Sequence, residues 1–254
     1  MHIAITRGIS PRFADCELTH LARSPIDLDQ AVREHDSYCE TLRGLGVQIV
    51  ALPADPTLPD CVFVEDTAVV LPECAVITRP GAASRRPETA AVAEAVRPWR
   101  EMFFISEPGT LDGGDVLVLG KRVLVGGGGR SNAAGIAQLA DVLAPWGYTV
   151  EAVPLRGCLH LKSAVTQVAA DAVLLNPAWV DPARFAGWRR IEVDPTEPDA
   201  ANVLRVGGTA IYARHHVRTR ERLLAARIET LLVDAAEVAK AEGAVTCCSI
   251  LFDM

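Results

Sequence analysis

No apolar run in the 254 residues approaches the roughly 18 that a helix needs to cross a bilayer, which excludes a helical membrane span. The opening stretch MHIAITRGIS does not pair a basic region with a long apolar one, so no secretion signal is expected. Positive charge is in deficit. The 25 Lys and Arg against 32 Asp and Glu leave a net charge of −7, which argues against nucleic-acid or anionic-membrane partners and mildly favours a cationic ligand. No CxxC pair appears, so zinc-finger spacing is missing. The seven cysteines, at 16, 39, 61, 74, 158, 247 and 248, are too irregular for a disulfide framework. Most are expected to be buried free thiols in a reducing cytoplasm.

What is present is an ordinary globular composition, 50% hydrophobic and 22% charged, in a chain long enough to bury a full core as one large domain or two small ones. Within it a unit recurs with a period of about 40–50 residues, the range of propeller blades. A polar motif opens a short apolar strand, seen as FVEDTAVV at 63, LDGGDVLVL at 111, HLKSAVTQV at 160, ANVLRV at 201 and TCCSILF at 246. Partner strands follow as AVITRPG at 75, RVLVGGGG at 122, AVLLNPAW at 172 and TAIYARHH at 209. The fifth partner is supplied from the other end of the chain, where HIAITRG at 2–8 reads like AVITRPG. Third strands are VQIVALP at 47, EMFFISEP at 101, YTVEAVPL at 148, RRIEVDP at 189 and TLLVDA at 230. Helical patterns lie between, such as Ile136, Leu139, Ala140 and Leu143, with Ser131 or Asn132 as N-cap and Gly147 as terminator.

The fold expected is therefore α/β: a five-bladed, pseudo-symmetric α/β propeller of ββαβ repeats, with the N-terminal strand completing the last blade. Alternation alone would fit other α/β proteins. A polar motif at the same point of each repeat favours the ring, because those points converge on its axis. Asp66, Asp112, His160 and Cys247 are then expected to face one another.

Cys247 and Cys248 are read as neighbours on a short strand, pointing to opposite faces, with Cys247 toward the axis and Cys248 toward packed helices. A free thiol with a pKa of about 8.5 needs a base or a cationic neighbour to act as a nucleophile. His160 is the one histidine at a blade start. A lone histidine is more often structural, but opposite a cysteine it suits proton transfer near neutrality. Asp112 could orient it, or simply cap a turn with Gly113 and Gly114. Asp60, Glu65 and Asp66 surround an apolar strand, where carboxylates are costly unless they meet a cation or face solvent. A guanidinium matches carboxylates geometrically. Arg85 and Arg130 follow second strands and could hold a carboxylate, or be ordinary surface arginines. The run GGGGRSN lacks the GK[ST] ending of a phosphate loop.

Assembled, LPDCVFVEDTAVV, ITRPGAASRR, LDGGDVL, HLKS and GAVTCCS closely resemble the dimethylarginine dimethylaminohydrolase family of the guanidine-modifying (pentein) superfamily, over nearly the whole chain. The resemblance implies one catalytic domain over residues 1–254, with no cofactor and no built metal site. It implies Cys247 as nucleophile, His160 as proton donor and then base for water, and Asp112 as the supporting acid. Asp66 would bind the guanidinium with help from Glu65. Asp60 and the Leu18 backbone would meet the amino-acid end, and Arg85 and Arg130 its carboxylate. The loop ADCELTHLARSP would act as a lid. Two features depart from the family: the glycine-rich run Gly126–Gly129 and an undiagnostic lid segment at 19–30.

The partner implied is a small cationic guanidino amino acid, with self-association as a homodimer left open. Two alternatives stand. An arginine or agmatine deiminase shares nucleophile and propeller, although arginine deiminases are generally longer. A non-catalytic propeller would be a binding protein.

Overall fold

Alternating apolar segments and turns fold into fifteen strands that pair as five three-stranded sheets in the computed structural model, which describes residues 1–254. The chain opens with β1 (His2–Arg7), helix α1 (Leu28–Gly44) and β2 (Gln48–Leu52). Next come β3 (Ala68–Val70), β4 (Cys74–Ile77), α2 (Thr89–Val96) and β5 (Glu101–Phe104). The third unit is β6 (Val116–Leu119), β7 (Arg122–Gly127), α3 (Ala133–Leu143) and β8 (Thr149–Pro154). A short α4 (Leu161–Ala164) leads into β9 (Val165–Ala169), β10 (Ala172–Leu175) and β11 (Arg189–Glu192). The last full unit is β12 (Val203–Val206), β13 (Thr209–Ala213), α5 (Val217–Ala225) and β14 (Thr230–Val233). A one-turn α6 (Ala236–Ala239) and β15 (Ile250–Asp253) end the chain.

In every sheet the middle strand pairs antiparallel with one neighbour and parallel with the other. A parallel partner requires a crossover, and this is where the helices sit. Middle strands such as CAVI and AVLL are buried along their whole length, as strands covered on both faces must be. The outer β5 and β11 are largely exposed. Closure is as expected: β15 pairs antiparallel with β1, His2 opposite Asp253 and Ile5 opposite Ile250, so the two ends of the chain share one blade.

The core is divided among the interfaces between blades. Ile3 and Ile5 pack with Ala75 and Ile77, Val69 and Val76 with Val116 and Val123, and Leu117 and Leu124 with Val165 and Leu175. Leu174 then packs with Val203 and Tyr212, and Leu204 and Ile211 return to Ala4. These contacts run from blade to blade in a cycle. The first strands line a common axial cavity of about 340 Å³, to which Val69, Leu117, Gln167, Arg205 and Leu251 each contribute from a different blade.

Two local details differ from the sequence reading. The β10–β11 crossover holds only a 3-10 turn, Pro182–Phe185, because Pro177 and Pro182 interrupt the helical hydrogen-bond ladder. Cys247 and Cys248 lie in a turn rather than on a strand, which begins only at Ile250. Of the two cap candidates on α3, Asn132 is the cap, accepting from the Gly135 N–H at 2.8 Å, while Ser131 serves the site below.

Candidate active site

The polar motifs sit one turn ahead of their strands. Glu65 and Asp66 lie in the 3-10 turn Val64–Thr67, Asp112 immediately precedes the turn Gly113–Asp115, and His160 precedes α4. A turn aims its side chains along the ring axis, whereas a pleated strand would send alternate residues to opposite faces. The close approach of these turns explains the glycine pair. A Cβ on Gly114 would stand 2.6 Å from Asp66 Oδ1 and 2.7 Å from His160 Nδ1, and one on Gly113 would stand 2.0 Å from the Glu65 carbonyl oxygen.

His160 is buried between two carboxylates. Its Nε2 is 3.0 Å from Asp112 Oδ2 and its Nδ1 is 3.7 Å from Asp66 Oδ1. Facing a carboxylate with each ring nitrogen suits the doubly protonated imidazolium. Burial disfavours that charge, but Asp66, the Asp112 hydrogen bond and Asp115 outweigh it and raise the pKa to about 9. The surrounding bonds hold the ring in place. Asp112 Oδ1 accepts from the Gly81 N–H at 2.8 Å, and Ser131 Oγ accepts from the Asp112 N–H and donates to Asp115 at 2.6 Å. Asp115 in turn accepts from the Leu161 N–H at 3.1 Å, which fixes the residue after the histidine. Burial raises Asp115 to about 6.

Asp66 also accepts from the Gly114 N–H at 2.9 Å and from Arg85 Nη1 at 2.6 Å. Burial opposes its charge, but His160 and Arg85 prevail and hold it at about 2. Arg85 is buried as well, donating to Glu88 at 2.8 Å and to the Phe63 carbonyl at 3.0 Å. Glu88 shares this guanidinium with Asp66, and burial raises it to about 7. Removing one partner of such a network leaves uncompensated buried charge. Arg85→Ala is therefore expected to cost about 3–5 kcal/mol of unfolding free energy in urea titrations. A loss below about 1 kcal/mol, the range of an exposed ion pair, would contradict the network.

The two thiols point apart. Cys247 lines a pocket with Asp66 and His160, whereas Cys248 is buried beside Tyr38 and Cys39 of α1. Burial, Glu65 and Asp66 push the Cys247 pKa well up, so the free protein carries the thiol. The turn is held by Glu65, whose N–H donates to the Cys247 carbonyl at 3.2 Å and whose carboxylate accepts from Thr246 Oγ1 and Lys162 Nζ, both at 2.7 Å. Asn202 from the fourth motif bonds Thr246 twice, at 3.0 Å each. The Glu65 carboxylate therefore faces the axial cavity and not the Cys247 pocket.

That pocket is also lined by Glu17, Asp60, Arg85 and Arg130. Asp60 accepts from the Glu17 N–H at 3.2 Å, next to Leu18, which does not itself line the pocket. Arg130 donates to Thr19 Oγ1 at 2.9 Å. Glu242 Oε1 accepts from three consecutive N–H groups, those of Thr19, His20 and Leu21, and so clasps the expected lid over the pocket. The segment expected as lid, 19–30, runs into α1, which begins at Leu28 with Asp27 as its cap. The pocket encloses about 20 Å³, room for about one water.

A sequence model of the arginine deiminase family matches residues 54–196. The chain is 43% identical over 97% of its length to an N(G),N(G)-dimethylarginine dimethylaminohydrolase of Streptomyces coelicolor, covering 95% of that protein. The chain belongs to the dimethylarginine dimethylaminohydrolase family. A Pseudomonas aeruginosa enzyme of the same name is 34% identical, with 92% of each chain covered. The solved structure of a Cys→Ser mutant of the Pseudomonas aeruginosa protein, complexed with citrulline, superposes with a TM-score of 0.94 at 32% identity, covering 98% of each chain.

Family motifs pointed to the residues that line the pocket, and missed most of those that hold them. Glu88 and Asp115 could have been found, since each follows a singled-out residue by three positions. Lys162, Thr246 and Asn202 lie inside quoted motifs but were not singled out, and Glu17 and Glu242 carry no such local signal.

Proposed function

We propose that the chain hydrolyses Nω,Nω-dimethyl-L-arginine, and Nω-monomethyl-L-arginine, to L-citrulline and dimethylamine or methylamine, with residues 1–254 acting as one catalytic domain. The observation that carries this reading is His160, held between Asp112 and Asp66 in the pocket that Cys247 enters. Four carboxylates (Glu17, Asp60, Asp66 and Glu242) line it, which supports a cationic substrate. A pocket of about 20 Å³ requires the Glu242-clasped lid to open before substrate enters.

The substrate guanidinium lies against Asp66, and its charge stabilises the Cys247 thiolate that the empty pocket disfavours, the thiol proton leaving to solvent as substrate binds. Sulfur attacks the guanidinium carbon, giving a neutral tetrahedral adduct. His160 passes a proton to the dimethylamino nitrogen, the C–N bond breaks, and a cationic thiouronium remains on Cys247. The now neutral His160 takes a proton from water as its oxygen attacks the same carbon. Collapse breaks the C–S bond, releasing citrulline and the thiolate, and one proton is taken up by the amine.

At the other end, Asp60 and the Leu18 backbone receive the α-amino group, while Arg130 and Arg85 hold the carboxylate. Of the five N–H groups of Arg85, four are used by Glu88, Phe63 and Asp66, and one on Nη1 remains for this bond. Glu65 acts on the guanidinium end through the Cys247 turn. The seven free thiols support a reducing, cytoplasmic compartment.

The arginine deiminase model match supports a second reading, release of ammonia from unmethylated arginine. The purified chain should be incubated in parallel with asymmetric dimethylarginine and with arginine. Citrulline with equal dimethylamine, formed faster than ammonia from arginine, is expected. Faster ammonia release would move the chain to the deiminase reaction, and no citrulline from either substrate would overturn both readings.

A further inference from the structure

Beside the Cys247 pocket, beyond a wall of Leu159, Glu242 and Gly243, lies a separate cavity of about 380 Å³. None of the proposed catalytic groups lines it. Its wall carries Asp199, from the loop between β11 and β12, and His215 and His216, from the turn between β13 and α5. The potential ligand atoms of these three residues all lie within 4.8 Å of one another.

The two imidazoles are unusually arranged for chain neighbours. Their ring centroids are 4.1 Å apart, and His216 is only 7% exposed, yet its ring has no hydrogen-bond partner. A tetrahedral ion with bonds of about 2.1 Å needs its ligand atoms roughly 3.4 Å apart. Asp199 and His215 are exposed, so their side chains are free to close that gap around the fixed His216. Cys158 lines the same cavity, but burial and Asp115 push it up to about 12 and its thiol donates to the His160 carbonyl, so it stays protonated. The donor set is two nitrogens and one oxygen, with a fourth position open to the cavity, where His20 of the lid also stands. Such a set suits Zn²⁺, Co²⁺ or Ni²⁺ rather than Mg²⁺, Ca²⁺ or Cu⁺.

We propose that Asp199, His215 and His216 form a divalent transition-metal site, distinct from Cys247 and bordering the lid. The test uses the full chain without a histidine tag, carrying Cys247→Ser so that the pocket thiol takes no metal. Calorimetric titration with Zn²⁺ should show one ion bound per chain. Adding His215→Ala or Asp199→Asn, both at exposed positions, should each weaken binding by roughly 100-fold, since losing even an outer-shell partner costs about 10–100-fold. The metal-free melting temperature of both variants should stay unchanged. Co²⁺ should give a visible spectrum without a thiolate-to-cobalt band. Absence of saturable binding, unchanged affinity in either variant, or a thiolate band would each overturn the site.

Discussion

Cys247→Ser is expected to lower citrulline formation from dimethylarginine by roughly 10⁴-fold or more, the scale on which hydrolases lose rate when their nucleophile is removed. Cys248→Ser should keep most of the activity. The contrast arises because the two sulfurs, adjacent in sequence, occupy different environments. Cys247 opens into the pocket with Asp66 and His160, where burial, Glu65 and Asp66 raise its pKa. Cys248 packs on α1, with its thiol 3.6 Å from the Ala244 carbonyl, a bond that a serine hydroxyl can replace. Steady-state rates of both variants, with intact-mass analysis of quenched wild-type reactions for the Cys247 adduct, decide the matter. Activity lost in the Cys248 variant but retained in the Cys247 variant would reverse the assignment.

His160→Asn should reduce turnover of dimethylarginine by about 10²–10⁴-fold, the usual contribution of a positioned acid and base. With an analogue whose leaving group is a thiol, which departs without a proton, the variant should still form the covalent adduct but hydrolyse it slowly. Rapid release of citrulline from that adduct would remove His160 from the second step. The same residue sets a pH dependence. Burial lowers its pKa, but Asp66, Asp112 and Asp115 together raise it from 6.5 to about 9. A raised pKa means the folded state binds the proton more tightly, so this stabilisation is full below 6.5 and is lost as pH climbs through about 9. The stability advantage of the wild type over His160→Asn, measured by urea unfolding, should therefore shrink between those values, and turnover should fall as the acid deprotonates. A constant difference across that window would show that the imidazolium is not held by its carboxylates.

Much of the architecture was legible because strand periodicity and turn residues are short-range properties of the chain. The pairing of β15 with β1 was legible too, since HIAITRG repeats AVITRPG and a fifth blade lacked its middle strand. The opposite directions of Cys247 and Cys248 were anticipated from strand alternation. In the structure a turn produces them, tied by the Cys247 N–H to the Ala244 carbonyl. The crossover between β10 and β11 was less legible, because its prolines reduce a helix to a single 3-10 turn.

The sequence by itself determined the five-fold repeat, the blade shared by both ends of the chain, and the set of motifs that meet around the pocket. Hydrophobic period and motif order dictate these, and both are written along the chain. Only the tertiary structure decided where the charges go. Arg85 is spent largely on Asp66 and Glu88, the Glu65 carboxylate turns to Lys162 and Thr246, and Glu242 holds the loop at Thr19 and His20, more than 220 residues away in sequence. Asp199 meets His215 and His216 in the same way. Coulomb energy and desolvation depend on distance through space and on burial, and neither has a period that sequence spacing can reveal.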